Sequence, residues 1–307
     1  MSARLSRFIP AVIAGLSYRF MNEGVIRESR WDFSRWSKLR AIGNTRVHYL
    51  DVGRTEPDST LLIVHGYLGS TVPLFDLIGT LSRDLRVVMP DLPAFGASEV
   101  PDCSCTMEYY LDFLTRFTRA AGLERFTLMG ISMGANISTH YSKDHPQQVE
   151  RLILLSPFGL HDQAGRMSRI KRWNAFLPLI SALVTRRTVE RNLRQSILRD
   201  ECITPELVNA YFKPFTTPRG RRATVEITRE IVGRCSMNAV LPQIGQPVLI
   251  LIGSEDKLLC AEDIDKFRQL LAREQQEIIE DSGHFLYLDS PDIVAQKIAT
   301  FTRGGKE

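Results

Sequence analysis

The segment Gly130-Ile131-Ser132-Met133-Gly134 constrains this chain more than any other stretch. The apolar run Phe126-Thr127-Leu128-Met129 precedes it, and a helical pattern through Ala135, Asn136, Ile137 and His140 follows. A strand that turns into a helix within about one residue needs small neighbours on both sides, because the backbone folds back tightly on itself. Such a turn lifts the Ser132 hydroxyl above the edge of a sheet. It also sets that hydroxyl beside a helix N-terminus, whose N–H groups and dipole favour developing negative charge. Ser132 is therefore the candidate nucleophile.

Other apolar runs end in the same way. Leu61-Leu62-Ile63-Val64 stops at His65-Gly66, and Arg86-Val87-Val88-Met89 at Pro90-Asp91. Leu152-Ile153-Leu154-Leu155 stops at Ser156-Pro157, and Val248-Leu249-Ile250-Leu251-Ile252 at Gly253. Unbroken apolar runs suit strands of a parallel sheet covered on both faces. Amphipathic stretches between them, Met107 to Ala121 and Ile131 to His145, read as helices. Trp36 to Val52 alternates about Gly43-Asn44 and predicts a hairpin. The expected fold class is α/β, a mostly parallel central sheet flanked by helices.

From Phe158 to Val240 no strand pattern appears, and helix-like pieces are separated by Pro178, Pro205, Pro214 and Pro218. This predicts a helical cap over residues 158–240, inserted into a core of residues 31–157 and 241–307; at 307 residues the chain is long enough for both. The cap holds 15 Lys/Arg against 7 Asp/Glu, whereas the whole chain carries only +4. A solvated surface is the default reading of that charge, and attraction to anionic lipid or substrate the alternative.

Residues 1–30 form a separate N-terminal segment. Its apolar run Phe8 to Leu16 is too short for a bilayer span, which needs roughly 20 residues. The apolar core of a cleaved signal peptide is the minority reading, since no convincing small-x-small cleavage site follows the run. Leu5, Phe8, Ile9, Val12, Ile13, Leu16 and Phe20 recur at helical spacing, with Arg4, Arg7 and Arg19 as flanks. Such an amphipathic helix either lies on an anionic membrane surface or packs on the protein's own body. A cytoplasmic or peripherally membrane-associated location follows. The five cysteines show neither a disulfide framework nor zinc-ligand spacing, so they read as free thiols. The mild net charge and the lack of a basic module argue against nucleic-acid binding.

A serine hydroxyl needs an adjacent base. His284, in Asp281-Ser282-Gly283-His284-Phe285 after the last strand-like run, is the preferred one; His48, His140, His145 and His161 are competitors. The base in turn needs a carboxylate to fix its tautomer. Asp256 in Gly253-Ser254-Glu255-Asp256 is the choice, with Glu255 as the near alternative. The order Ser132, Asp256, His284 fits the serine–acid–histidine succession of one known triad arrangement. In His65-Gly66-Tyr67-Leu68-Gly69 the Tyr67 N–H is the candidate for one oxyanion donor, and Met133 N–H for the other. His65 reads as structural.

Taken together, these pieces resemble the cap-bearing branch of the α/β-hydrolase superfamily. The matching segments are Val47 to Gly53, His65-Gly66, Asp91-Leu92-Pro93-Ala94-Phe95-Gly96-Ala97-Ser98, the Ser132 turn, Pro247 to Asp256 and Gly283-His284-Phe285. Ala94 and Ala135 stand where that pattern often has glycine. The overall pattern is similar to monoacylglycerol lipases and related membrane-associated esterases and phospholipases. That resemblance implies hydrolysis of a small-molecule or lipid ester through an acyl-enzyme, with no metal or organic cofactor. Tyr67, Phe158, Trp173, Phe176, Leu177 and Phe212 are the expected lining of an acyl pocket, or alternatively cap core. Carbon–carbon or amide hydrolysis, perhydrolysis, or ligand binding without turnover would use the same residues. Epoxide hydrolase and dehalogenase chemistry is disfavoured, since it needs Asp where this chain has Ser132. Oligomeric state stays open.

Overall fold

Eight strands form one sheet in the computed structural model of the protein, which describes residues 33–53, 60–160, 175–259 and 261–304. They are β1 (Ser37–Ile42), β2 (Thr45–Gly53), β3 (Thr60–Val64), β4 (Arg86–Pro90), β5 (Phe126–Ile131), β6 (Val149–Leu155), β7 (Val248–Gly253) and β8 (Glu274–Ile279). Their spatial order is β1-β2-β4-β3-β5-β6-β7-β8. Only the β1–β2 and β2–β4 pairs are antiparallel; the five remaining pairs, from β4–β3 to β7–β8, are parallel. The β1–β2 hairpin turns on Gly43 at φ +59°, a conformation that glycine adopts without steric cost.

Every residue of β3, β5 and β7 is buried, as strands covered on both faces require. Alternate side chains point to opposite faces. Leu62, Val64, Leu128, Leu152, Leu154 and Ile250 form one apolar layer, and Leu61, Ile63, Met129, Ile153, Leu155, Leu249 and Leu251 the other. The second layer is covered by α1 (Phe75–Leu81), the first by α2 (Met107–Ala121) and α3 (Met133–Asp144). Thr106 caps the start of α2 by accepting the Tyr109 N–H, and Gly122 ends it at φ +67°.

Between β6 and β7 the described chain is helical: α4 (Leu177–Leu183), α5 (Arg186–Arg194), α6 (Pro205–Phe212) and α7 (Pro218–Ile227), the last running into a π-turn over Thr228–Val232. Prolines that act as separators would fall between the helices. Pro178, Pro205 and Pro218 instead stand in the first turn of α4, α6 and α7, where a missing N–H costs nothing. Thr185, Thr204 and Thr217 cap α5, α6 and α7 with their side-chain oxygens. Val189, Leu193, Ile197, Leu207, Val208 and Tyr211 form a small apolar cluster of their own. Ala223, Ile227, Ile231 and Met237 merge with the main core.

The base of this helical stretch is stitched to the sheet. Met237 N–H donates to the Gly159 carbonyl at 2.9 Å, and Asn136 Nδ2 donates to the Cys235 carbonyl at 3.0 Å. After β7 come α8 (Ala261–Leu270), β8, α9 (Leu286–Asp289) and α10 (Pro291–Thr302), whose Val294, Ala295 and Ile298 cover the layer shared with α1. Residues 1–30, with their expected amphipathic helix, lie outside the described residues. Among those described, no helix is long and apolar enough to cross a membrane.

Candidate active site

The sheet places its chemistry at one edge. Strand order reverses about β3, so the loops after β3 and β5 leave adjacent strands at a topological switch point. The loops after β7 and β8 leave the same edge beyond β6, separated from β5 by one strand and by two. Among the described residues, positive φ outside glycine occurs at Leu68, Ala94, Ser132, Ser156 and Asp281, each in a loop that follows a strand on this edge. Unfavourable backbone conformations persist where surrounding contacts over-determine them, and functional loops are such places.

Ser132 has φ 51° and ψ −114° and opens α3. The tightness demanded of its neighbours is visible: a Cβ on Gly130 would stand 2.5 Å from Ala135 Cα, and one on Gly134 would stand 2.2 Å from the Val64 carbonyl oxygen. Ser132 N–H donates to Leu155 O at 2.9 Å, and its carbonyl accepts Ala135 N–H at 3.0 Å. These bonds hold the hydroxyl above the sheet.

The structure brings Ser132, His284 and Asp256 together across 152 and 28 residues of chain. Ser132 Oγ lies 3.0 Å from His284 Nε2, and His284 Nδ1 lies 2.8 Å from Asp256 Oδ2. Asp256 Oδ1 accepts Leu258 N–H at 2.9 Å. Burial raises the Asp256 pKa, but the hydrogen bond and charge of His284 and the Leu258 N–H outweigh it, so the carboxyl titrates below its usual value. Glu255, the near alternative, is exposed. Its N–H donates to Ser282 O, which ties the acid loop to the histidine loop.

The other histidines stand elsewhere. His48 Nδ1 lies 2.8 Å from Asp91 Oδ2 and its Nε2 lies 2.9 Å from Ser37 Oγ, which repeats a serine–histidine–aspartate sequence of contacts. His48 is buried, however, and Asp91 also accepts the Thr71 and Ala97 amides, so this cluster braces β2 against the loop after β4. His140 belongs to α3, and His145 stacks on Tyr141. His161 lies outside the described residues. His65 is buried with both ring nitrogens engaged: Leu92 N–H donates to Nε2 at 2.8 Å, and Nδ1 donates to Gly66 O at 2.8 Å. Those contacts fix one neutral tautomer, and burial lowers its pKa. It is a strut for the loop.

Tyr67 and Met133 flank Ser132 at the cavity floor. Met133 is the first residue of α3, so its N–H has no intrahelical acceptor. Neither amide donates to an acceptor among the described residues. Gly66 lets the loop come close: a Cβ there would stand 3.1 Å from Ile131 O and 3.2 Å from Ser132 Cβ. The Tyr67 side chain reaches the opposite way, with its hydroxyl 2.8 Å from Thr228 Oγ1 and 3.3 Å from Thr224 O at the end of α7.

A cavity of about 250 Å³ opens over Ser132 and His284. Its wall includes Leu68, Leu74, Ile131, Val232, Leu258, Phe285 and Tyr287, and from the helical stretch Val189, Asn192, Leu193, Ser196 and Tyr211. Of the expected lining, Tyr67 and Phe158 are in this wall. Phe176, Leu177 and Phe212 are not. Phe176 is half exposed ahead of α4, a helix that leaves Leu179, Ile180 and Leu183 exposed as well, and Phe212 stacks on Phe215 behind the α5–α6 cluster. Trp173 lies outside the described residues. The lining missed from sequence includes that of α5 and the turn after it, whose signal is the pairs Val189/Leu193 and Asn192/Ser196 at four-residue spacing among arginines, and the loop residues Leu68, Leu74, Leu258 and Phe285.

Fold and site together define a hydrolase of the α/β class. The chain belongs to the α/β-hydrolase fold family, whose sequence pattern, described as alpha/beta hydrolase fold, matches residues 59–291. It is 24% identical over 272 residues to an uncharacterized hydrolase of Bacillus subtilis, covering 83% of this chain and 93% of that one. It is 26% identical over 251 residues to a pimeloyl-[acyl-carrier protein] methyl ester esterase of Nitrosomonas europaea, covering 76% and 91%. Among solved structures, a bacterial membrane phospholipase A superposes with a TM-score of 0.76 at 24% identity, covering 99% of this chain and 94% of that one.

Proposed function

We propose that this hydrolase cleaves carboxylic esters through an acyl-enzyme on Ser132, and that its substrates are lipid-type esters. The observation that carries the reading is the 3.0 Å approach of Ser132 Oγ to His284 Nε2 beneath a cavity walled mainly by apolar side chains. His284 takes the Ser132 proton as the oxygen attacks the ester carbonyl. Asp256 holds the Nδ1–H tautomer and stabilises the imidazolium, whose Nε2–H then protonates the departing alcohol. The Tyr67 and Met133 amides, with the N-terminus of α3 behind them, face the developing oxyanion. Water then attacks the acyl carbonyl as it gives one proton to the same nitrogen, and the acid leaves as Nε2–H returns that proton to Ser132 Oγ.

Support for an acyl chain in the cavity comes from Leu74, Val189, Leu193, Val232 and Phe285 in its wall. The esterase and phospholipase names of two of the proteins described above point the same way. Peripheral membrane contact belongs to this reading: exposed Leu179, Ile180 and Leu183 on α4 supply apolar surface, and residues 1–30 the amphipathic pattern. The test is hydrolysis of p-nitrophenyl esters of increasing acyl length by the wild type and by Ser132→Ala, with fluorophosphonate labelling alongside. The expected loss in the variant is roughly 10,000-fold or more, together with loss of the label. No turnover of any ester by a labelled wild type would move the assignment to another scissile bond.

A further inference from the structure

We infer that Asp289 is a positioning residue that fixes His284 through the cap, an inference that rests on the triad reading above. Asp289 ends α9 five residues beyond His284 and is fully buried. Its two oxygens face different parts of the protein. Oδ2 accepts the N–H of Gly283, the residue before His284, at 2.9 Å. Oδ1 accepts the N–H groups of Leu198 at 2.9 Å and Arg199 at 3.0 Å, in the loop that follows α5. The residue after His284 makes a contact to the same loop, since Phe285 N–H donates to Ser196 O at 3.3 Å. His284 is thus bracketed on both sides by one segment of the cap.

The approach is close enough to specify residue 283. A Cβ on Gly283 would stand 2.5 Å from the Ser196 carbonyl oxygen, a backbone atom that cannot swing aside. The clamped loop directly follows α5, which carries Val189, Asn192 and Leu193 to the cavity wall. One carboxylate therefore joins the wall that meets the acyl chain to the backbone that aims the base. A carboxylate is required for this because both oxygens must accept. An asparagine of the same size has one acceptor and one donor, so it keeps either the Gly283 arm or the Leu198/Arg199 arm and repels the other. Misplacing a reacting group by about 1 Å costs on the order of 100-fold in rate.

The experiment is Asp289→Asn in the full chain, with active sites counted by exhaustive fluorophosphonate labelling so that misfolded protein drops out. The expected result is a fall of about 100-fold in kcat per labelled site, with KM for a short-chain ester changed by less than about threefold. The low-field proton resonance of the His284–Asp256 hydrogen bond shifts or broadens in the same variant. A merely structural role predicts less labelled protein but wild-type kcat per site and an unmoved resonance, and that result overturns the inference. Should Asp289→Asn not fold, Arg199→Pro removes one of the two N–H donors to Oδ1 and leaves the Gly283 arm intact. Arg199 sits at φ −84°, within a few degrees of proline's range, and loss of its N–H is expected to lower kcat per site about tenfold; unchanged turnover would again reject the role. If the wild type neither turns over esters nor labels at Ser132, the triad reading is what has failed. The positioning role is then decided by the resonance alone.

Discussion

Gly134 packs so tightly under the end of β3 that any side chain there would collide with the Val64 carbonyl oxygen, 2.2 Å from a Cβ, and with His65 O at 2.5 Å. The contact joins the helix that begins at Ser132 to the loop that carries Tyr67. Gly134→Ala is therefore expected to push these two loops apart, at an overpacking cost of about 1–3 kcal/mol. Activity should fall further than stability alone explains, because the Tyr67 and Met133 amides, the proposed oxyanion donors, would be moved apart. Urea unfolding and ester kinetics on the same sample check this. Full kcat with reduced stability would show that the close approach serves only packing.

The pairing of His284 with Asp256 rather than Glu255 gives a second expectation. Asp256→Asn removes the acceptor that holds the Nδ1–H tautomer, and kcat should drop by roughly 10,000-fold. Glu255→Gln alters an exposed side chain and should leave kcat within about twofold. Equal losses in the two variants would mean that the loop, and not one carboxylate, supports the histidine.

How far the sequence foretold these positions depends on the range of the forces involved. Ser132 and the strands around it are legible because the strand-to-helix turn demands Gly130 and Gly134 locally, whatever lies farther away. Asp256 is separated from Glu255 by which side of a loop faces inward, a fact set by the stitching of Glu255 N–H to Ser282 O, 27 residues on in a different loop. The helical stretch between β6 and β7 is less legible still. Phe176, Phe212, Val189 and Leu193 all suit an apolar interior, and only the packing of α5 and α6 over the histidine loop decides which of them line the cavity. Asp289 carried no signal, since its partners are backbone amides that any residue would supply.

The buried His65 makes stability depend on pH in a definable sense. Burial holds its folded-state pKa below the ordinary 6.5, against the raising influence of Asp91 and the Gly66 carbonyl. In acid the unfolded chain takes up a proton there before the folded protein does, so stability declines as pH falls below about 6.5 and through the lowered folded value. Asp91 adds a separate loss at lower pH. Burial raises its pKa, yet the charge and hydrogen bond of His48 prevail and hold it at about 2 instead of 3.8. Its contribution is complete above 3.8 and fades as pH drops from there toward 2. His65→Gln should lower the unfolding free energy measured in urea at pH 8 by about 1–3 kcal/mol, through lost hydrogen bonding, and flatten the decline between pH 8 and 5. His140 and His145, whose pKa values burial also lowers, would leave some slope in the variant. Parallel curves for wild type and variant would mean that His65 has no part in it.

Acyl-chain selectivity tests the cavity directly. If successive methylenes enter the space between Leu74, Val189 and Val232, kcat/KM should rise by roughly threefold to fourfold per added methylene, the worth of about 0.8 kcal/mol each, until the cavity is filled. Val232 lies on the π-turn after α7 and is only partly buried, so a larger side chain there intrudes on the cavity without opening the core. Val232→Trp is expected to move the optimum to shorter esters and to leave kcat/KM on a two-carbon acyl ester within about threefold of wild type. An unshifted optimum, or a uniform loss over all chain lengths, would place the acyl chain along another wall of the cavity.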